Sequence, residues 1–234
     1  MVEELPLFPL SHTVLFPGVV LPLHVFEERY RELVRTLVAQ EDPGPRRFGV
    51  VAIRQGWEVG AEAAEALHGV GCAAELRRVS RYPDGRFDIV TVGSDRFRLL
   101  DVDRASRPYL VGRVDWLPGD PPPDAGAAML ARAVGTLFGE YASAAAGLRP
   151  AGGGPRPARP RLDELPEDPG ELSHLVASSA VLTLEDRQAL LEAPTAAARL
   201  RAELRLLKRE TTMVRRLRAL PVPVAELQVT QSLS

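Results

Sequence analysis

Cysteine and lysine are almost absent from these 234 residues, one of each. With Cys72 alone, no disulfide can form within the chain, and a structural zinc site has no thiolate set to build on. With Lys208 alone, flanked by Leu207 and Arg209, the phosphate-binding pattern G-x-x-x-x-G-K-[ST] cannot be written anywhere in the chain. His12, His24, His68 and His174 never stand at metal-ligand spacing, and no carboxylate cluster completes a site, so neither metal nor cofactor is expected. Charge of one sign is also missing: the net charge is −2, which draws the chain toward neither nucleic acid nor membrane as a whole. The longest apolar run, Val14 to Leu23, is about half the ~20 residues that span a bilayer. The opening "MVEELPLF" carries Glu3 and Glu4 where a secretory leader carries positive charge. A cytoplasmic protein is expected, and the arginine bias is associated with GC-rich bacterial genomes.

What the chain does have is strand-forming sequence up to about residue 118. "LFPLSHTVLFPGVVLPLHVFEERY", residues 7 to 30, is apolar and rich in valine, yet Pro9, Pro17 and Pro22 interrupt it. Proline cannot donate to a sheet and is confined to edges, strand starts and bulges. "EERYRELVRTLVAQ" follows as a helix, with Phe26, Tyr30, Leu33 and Leu37 recurring at three- and four-residue steps. "FGVVAI" reads as a buried strand. "CAAELRRVSRY" and "RFDIVTVGSDRFRLLDV" flank Pro83-Asp84-Gly85 as a hairpin. Phe87, Ile89 and Thr91 alternate with Asp88, Val90 and Val92, as in a sheet closing toward a barrel, and "YLVGRVDWL" supplies a last strand. Cys72 and His68, four apart on an extended segment, stand roughly 13 Å from each other, which leaves Cys72 a buried structural residue.

The second part reads as helical. The boundaries are 1–118 for the strand-rich subdomain, 119–126 for a linker, 127–222 for a helical subdomain with a flexible Pro/Gly insertion at about 146–162, and 223–234 for a tail. Leu130, Val134, Leu137 and Tyr141 form one stripe. Asp168-Pro169-Gly170-Glu171 and Thr183 with Asp186 have the logic of capped helix starts. A final helix from about Thr195 to Leu220, ~37 Å long, carries two seams: Leu200, Leu204, Leu207 and Val214, then Leu206, Met213, Leu217 and Leu220.

Four pieces in order, "LPLFPLSHTVLFPGVVLPLHVFEERYREL", "GVGCAAEL", "PDGRFDIVTVGSDRFRLLDV" and "PYLVGRVDWL", resemble the amino-terminal substrate-binding domain of Lon proteases. The resemblance spans about residues 4 to 118, with a weaker helical echo over 168 to 220. It implies an α+β fold: a PUA-like small β-barrel subdomain with one embedded helix, followed by a helical-bundle subdomain with a long C-terminal helix. Lon proteolysis uses a Ser–Lys pair, and no serine lies between Ala180 and Gln231 to accompany Lys208. A stand-alone domain without the ATPase and protease parts, and without enzymatic activity, is therefore expected.

The resemblance implies a proteolysis-related, non-enzymatic binder of polypeptides, an adaptor or chaperone-like module for unfolded or degron-bearing chains. Its partners would be polypeptides or a partner protein, with no membrane, and the chain a monomer or homodimer. Phe16, Pro17, Val19, Leu21, Phe26 and Tyr30 are the candidate peptide-binding residues, because proline-bearing apolar backbone cannot be shielded wholly by strand pairing. Glu27, Arg29 and Tyr30 match the family's E-x-R-Y core, with Glu27 and Arg29 shaping the site. The alternative is RNA binding by the barrel and the basic last helix, through Arg201, Arg205, Lys208, Arg209, Arg215 and Arg216. Arg199 to Arg218 holds eight basic residues against Glu203 and Glu210.

Overall fold

Period-two burial organises the first half of the chain. Phe87, Ile89 and Thr91 are buried while Asp88, Val90 and Val92 are half-buried, the alternation expected of a strand with one face on a core. The computed structural model describes residues 2–41, 44–55, 66–146 and 165–217. The expected tail at 223–234, and the insertion beyond Ala146, lie outside them. The chain divides into two units, Met1–Gly119 and Asp120–Ser234.

The first unit runs β1 (Val2–Leu10), β2 (Val20–Val25), α1 (Glu28–Val38), β3 (Arg47–Gln55), β4 (Ala66–Leu67), β5 (Val70–Arg81), β6 (Phe87–Asp103) and β7 (Val111–Trp116). β1 pairs antiparallel with β7 over Val2–Pro6 and parallel with β3 over Leu7–Leu10. β7 pairs β6, β6 pairs β5, and β5 pairs β3, so the ladder returns to β1 and closes as a small barrel. Closure leaves fewer bare edges to guard. Leu5, Leu7, Val51, Phe97 and Val114 fill the interior, with Leu99 and Trp116 against them.

The prolines fit this closure. Leu7 N–H donates to Leu110 O at 2.8 Å, so odd-numbered residues of β1 address β7 and even-numbered ones address β3. Pro6 therefore points at β3 just before that ladder starts, and Pro9 points toward β7 just after that ladder ends. Neither position owes a main-chain donor.

β6 is 17 residues long and outruns the barrel. Its first half, Phe87 to Val92, pairs with β2 on one side and β5 on the other, forming a three-stranded ribbon. Helix α1 turns Tyr30, Leu33, Val34 and Leu37 inward, each burial contributing about 2 kcal/mol. Tyr30 stacks on Phe8 with ring centroids 4.1 Å apart. On the outside, Arg31 Nε donates to Gly85 O at 2.8 Å, fastening α1 to the β5–β6 turn, where Gly85 has φ +85. At the seam where β1 joins β3 and β7, Trp116 Nε1 donates to Glu3 at 2.8 Å. Arg47 pairs with the same carboxylate at 3.1 Å and lies 4.4 Å from the centroid of the Trp116 ring.

The second unit is α2 (Ala125–Ala146), α3 (Pro169–Ser179), α4 (Leu184–Glu192) and α5 (Ala196–Leu217). The Asp168 side chain accepts from Glu171 N–H with Pro169 at the first helical position, and Thr183 caps α4 by accepting from Asp186 N–H. Each satisfies an N–H donor that the helix start would otherwise leave unpaired. Tyr141, fully buried, accepts from Val181 N–H at 3.1 Å.

Helix α5 departs from the expected seams. Leu200, Leu207 and Val214 are buried as expected, but Met213 is 45% exposed and Leu206 only half-buried. The buried stripe itself is partly polar, with Arg199, Glu203, Glu210 and Thr211 in it. Steps of three and four residues put these on the same stripe as Leu207 and Val214. Arg199 Nε donates to Ser173 Oγ at 2.7 Å, and its guanidinium pairs with Asp120, which compensates its burial.

Candidate functional site

The edge of the ribbon is set by one turn. Phe16-Pro17-Gly18-Val19 closes with Val19 N–H donating to Phe16 O at 3.1 Å, and Gly18 has φ +76. Proline followed by a positive-φ glycine is the signature of a type II turn. Gly18 N–H then donates to Gly93 O at 2.8 Å, and Gly93 N–H to Val19 O at 2.9 Å, so two residues of the turn oppose one of β6. That is a glycine bulge. Gly93 has no room for a side chain, because a Cβ would strike the carbonyl of Phe16.

The bulge fixes the phase of everything after it. Because Val19 and Gly93 are a hydrogen-bonded pair, Leu21, Leu23 and Val25 address Thr91, Ile89 and Phe87 with their main-chain groups. Thr91 Oγ1 adds a bond to Leu21 O at 2.9 Å. Val20, Pro22 and His24 direct theirs the other way, toward the side of β2 that has no strand partner among the described residues. The missing donor of Pro22 falls on that free edge, where a sheet tolerates it.

Residues paired across strands share a face, so the outer face of the ribbon reads in rows: Val20, Val92 and Glu75; Pro22, Val90 and Arg78; His24, Asp88 and Ser80. Its centre is apolar. Val20, at the start of β2, is 58% exposed, and Phe26, just past its end and beside His24, is 55% exposed. At the end of the face, Asp88 accepts from Tyr82 Oη at 2.5 Å and lies 2.6 Å from His24 Nδ1. Arg86 Nη1 stands 3.3 Å from His24 Nε2, an arrangement that suits the Nδ1–H tautomer of His24. The Tyr82 and His24 hydrogen bonds hold the Asp88 carboxyl below the usual carboxylate range, and the same carboxylate pushes the Tyr82 hydroxyl above its ordinary value. His24 lies near both aromatic rings, 6.3 Å from Phe26 and 6.1 Å from Tyr82.

The expected peptide-binding residues separate in space. Phe26 stands on the outer face. Pro17 and Val19 are half-buried in the turn and bulge, and Leu21 is half-buried on the inner face. Phe16 and Tyr30 are core, 0% and 4% exposed; Phe16 lies under the bulge and Tyr30 under Phe8, so neither offers a face to a ligand. Glu27 pairs with Arg29 at 3.0 Å, its main-chain oxygen accepts from Tyr30 and Arg31, and Arg29 lies 4.5 Å from the centroid of the Tyr30 ring. Val20, Pro22, His24, Tyr82 and Asp88 were not foreseen. The readable signal for the first three was Pro17-Gly18: a bulge there makes the next even-numbered residues face outward.

On α5, Arg201, Arg205, Lys208 and Arg216 are exposed. Arg209 is held by Asp186 and Glu210 at 2.5 and 2.7 Å, and Arg215 reaches Glu140 at 3.4 Å. Cys72 is fully buried and burial pushes its thiol well above the ordinary range, the opposite of an activated nucleophile. Among the described residues no group of His, Cys, Asp and Glu could hold a metal ion, and no helix is long and apolar enough to cross a membrane.

A closed barrel extended by a ribbon with an exposed apolar face, joined in sequence to a unit with four helices among the described residues, defines a two-part α+β protein. Residues 4–209 match the ATP-dependent protease La (LON) substrate-binding domain, and the chain belongs to that family. It is 28% identical to Lon protease 2 of Myxococcus xanthus over 221 residues, covering 91% of this chain and 24% of that protein. It is 36% identical to the Lon protease of Porphyromonas gingivalis over 118 residues, half of this chain and 13% of that one. The chain thus spans about a quarter or less of the curated relatives it matches. Among solved structures, the Lon N-terminal domain protein from Xanthomonas campestris is 25% identical with a TM-score of 0.59, covering 88% of this chain and 98% of that one. The N-terminal domain of Mycobacterium avium complex Lon protease, 16% identical with a TM-score of 0.64 over the same shares, has the same fold.

Proposed function

We propose that this chain recognises polypeptides without acting on them chemically, as an adaptor or chaperone-like binder of unfolded or degron-bearing proteins in the cytoplasm. The observation that carries this reading is the apolar outer face of the β2–β6–β5 ribbon, Val20, Pro22, Val90, Val92 and Phe26, in a chain of the LON substrate-binding family. A face of that kind, rimmed by His24, Asp88 and Arg78, suits stretches of apolar side chain that a folded client hides and an unfolded one exposes. Phe26 and Val20 are the anchors, since they are the large apolar side chains that this face leaves most exposed. The test is binding of a reduced, unfolded polypeptide and of its folded form, measured at low and high salt. Preference for the unfolded form that survives 0.5 M salt is expected; equal affinity for both forms refutes the reading.

A second reading, RNA binding through the barrel and α5, has one observation in its favour. Glu203 and Glu210 are buried, which leaves the cations Arg201, Arg205, Lys208 and Arg216 on the exposed side of that helix. Four phosphate contacts give a log–log salt slope of about −3 for single-stranded RNA. A flat salt response, or no binding of RNA at 50 mM salt, eliminates it.

A further inference from the structure

The phase of β2 says more than that its outer face is apolar. Three consecutive edge-facing positions, Val20, Pro22 and His24, present main-chain groups to the strandless side: three carbonyls and, because the middle residue is proline, two N–H donors. No described residue bonds the Val20 or His24 N–H. The chemistry that satisfies such an array is another extended backbone. We propose that the outer edge of β2 takes up a short extended segment of the bound polypeptide as an added strand. The segment is held by main-chain hydrogen bonds at Val20 and His24 and restricted in length by Pro22 between them.

This rests on the polypeptide-binding reading and assigns it a geometry. Alternate guest residues face β2, each giving an N–H to a carbonyl of Val20, Pro22 or His24. The guest residues opposite Val20 and His24 also accept an N–H in return, and the one opposite Pro22 does not. Side chains of the same alternate residues stand on the outer face, beside Val20 and Pro22. The ligand class is therefore a stretch of about five residues, extended, apolar at every second position and free of proline at those positions. Pro22 gives the edge one donor fewer than a bare strand, which keeps it from recruiting long strands or a second copy of the chain.

The experiment uses the full chain and a capped heptapeptide alternating valine and threonine, with a reduced unfolded polypeptide in parallel. Amide hydrogen exchange at Val20 and His24 is read by NMR. Expected are at least tenfold slower exchange at both amides with either probe, and loss of binding when the peptide is N-methylated at one set of alternate residues but not at the other. In the Pro22→Ala variant, which restores the third donor, peptide affinity rises about threefold to tenfold. If the probes bind while the Val20 and His24 amides exchange unchanged, or if every N-methylated peptide binds equally, strand addition is overturned and face binding stands. If neither probe binds at all, the polypeptide-binding reading falls and the proposal with it. If protection at these amides comes from dimerisation of the chain alone, a second copy replaces the foreign polypeptide as the occupant and the proposal is overturned.

Discussion

Glu203 should destabilise the helical unit at neutral pH, and replacing it should help. Its side chain lies in the buried stripe of α5, 1% exposed, and neither carboxyl oxygen has a hydrogen-bond partner among the described residues. Burial raises its pKa well above the ordinary value, opposed by Arg199 one turn earlier. Arg199 does not depend on Glu203, because it keeps Asp120 and Ser173. Methionine has nearly the same unbranched shape, is a good helix former and carries no oxygens to satisfy. Replacing buried charged groups by apolar ones of similar volume gains about 1–4 kcal/mol where no partner is orphaned, so Glu203→Met should gain an amount in that range at pH 7. The pH dependence has a definite sign. In the unfolded chain the acid ionises near pH ~4.3, while the folded chain holds the proton to higher pH. Stability is then full below that value and falls by up to about 1.36 kcal/mol per pH unit as pH rises toward the raised folded pKa. The advantage of Glu203→Met should thus be small at pH 4.5 and grow toward pH 7. Urea unfolding followed by circular dichroism at 222 nm, at pH 4.5, 5.5 and 7, measures it. A variant less stable than the parent by more than about 1 kcal/mol at pH 7, or a difference that does not change with pH, would refute the reasoning.

Three further outcomes follow from the first unit. Gly93→Ala should cost about 3 kcal/mol or more, since its Cβ meets the Phe16 carbonyl, held there by the bulge; a change in urea midpoint equivalent to under about 0.5 kcal/mol contradicts the bulge. Glu3→Ala should cost about 1 kcal/mol and shift tryptophan emission, because Glu3 joins Trp116 and Arg47 across the barrel seam; unchanged emission would show the seam is not closed as described. Tyr82 should ionise later than an ordinary tyrosine and return to the usual range in Asp88→Asn, read from tyrosinate absorbance in alkaline titration. A parent and variant that titrate alike would remove the Tyr82–Asp88 bond. In acid the sign reverses: Asp88 is held low, so its contribution is complete above the ordinary carboxylate pKa and lost as pH falls through the lowered one.

Periodicity and turn chemistry carry far in this chain because they are local. Tyr30, Leu33 and Leu37 declare a helix, Phe87, Ile89 and Thr91 a half-buried strand, Asp168-Pro169 and Thr183 two helix starts, and each stands where those patterns put it. Hydrophobicity alone does not say which apolar residue is covered. Phe16 and Phe26 look alike in sequence, yet one lies beneath the Gly93 bulge and the other stands in solvent beside His24. Leu21 and Val20 are neighbours of similar character, and a one-residue step in phase sends them to opposite faces. Charge misleads in the same way on α5, where Arg199 and Glu203 belong to the interior.

By itself the sequence determined the order of strands and helices, the lack of a phosphate loop or disulfide in these residues, and the resemblance to the Lon substrate-binding domain, for these are written in neighbouring residues and short spacings. Only the tertiary structure decided which side of β2 is bare, that its one proline sits on that side, and which aromatic residues remain exposed. Those outcomes depend on Gly18 and Gly93, 75 positions apart in the numbering, meeting in one bulge, and a contact that distant leaves no local trace to read.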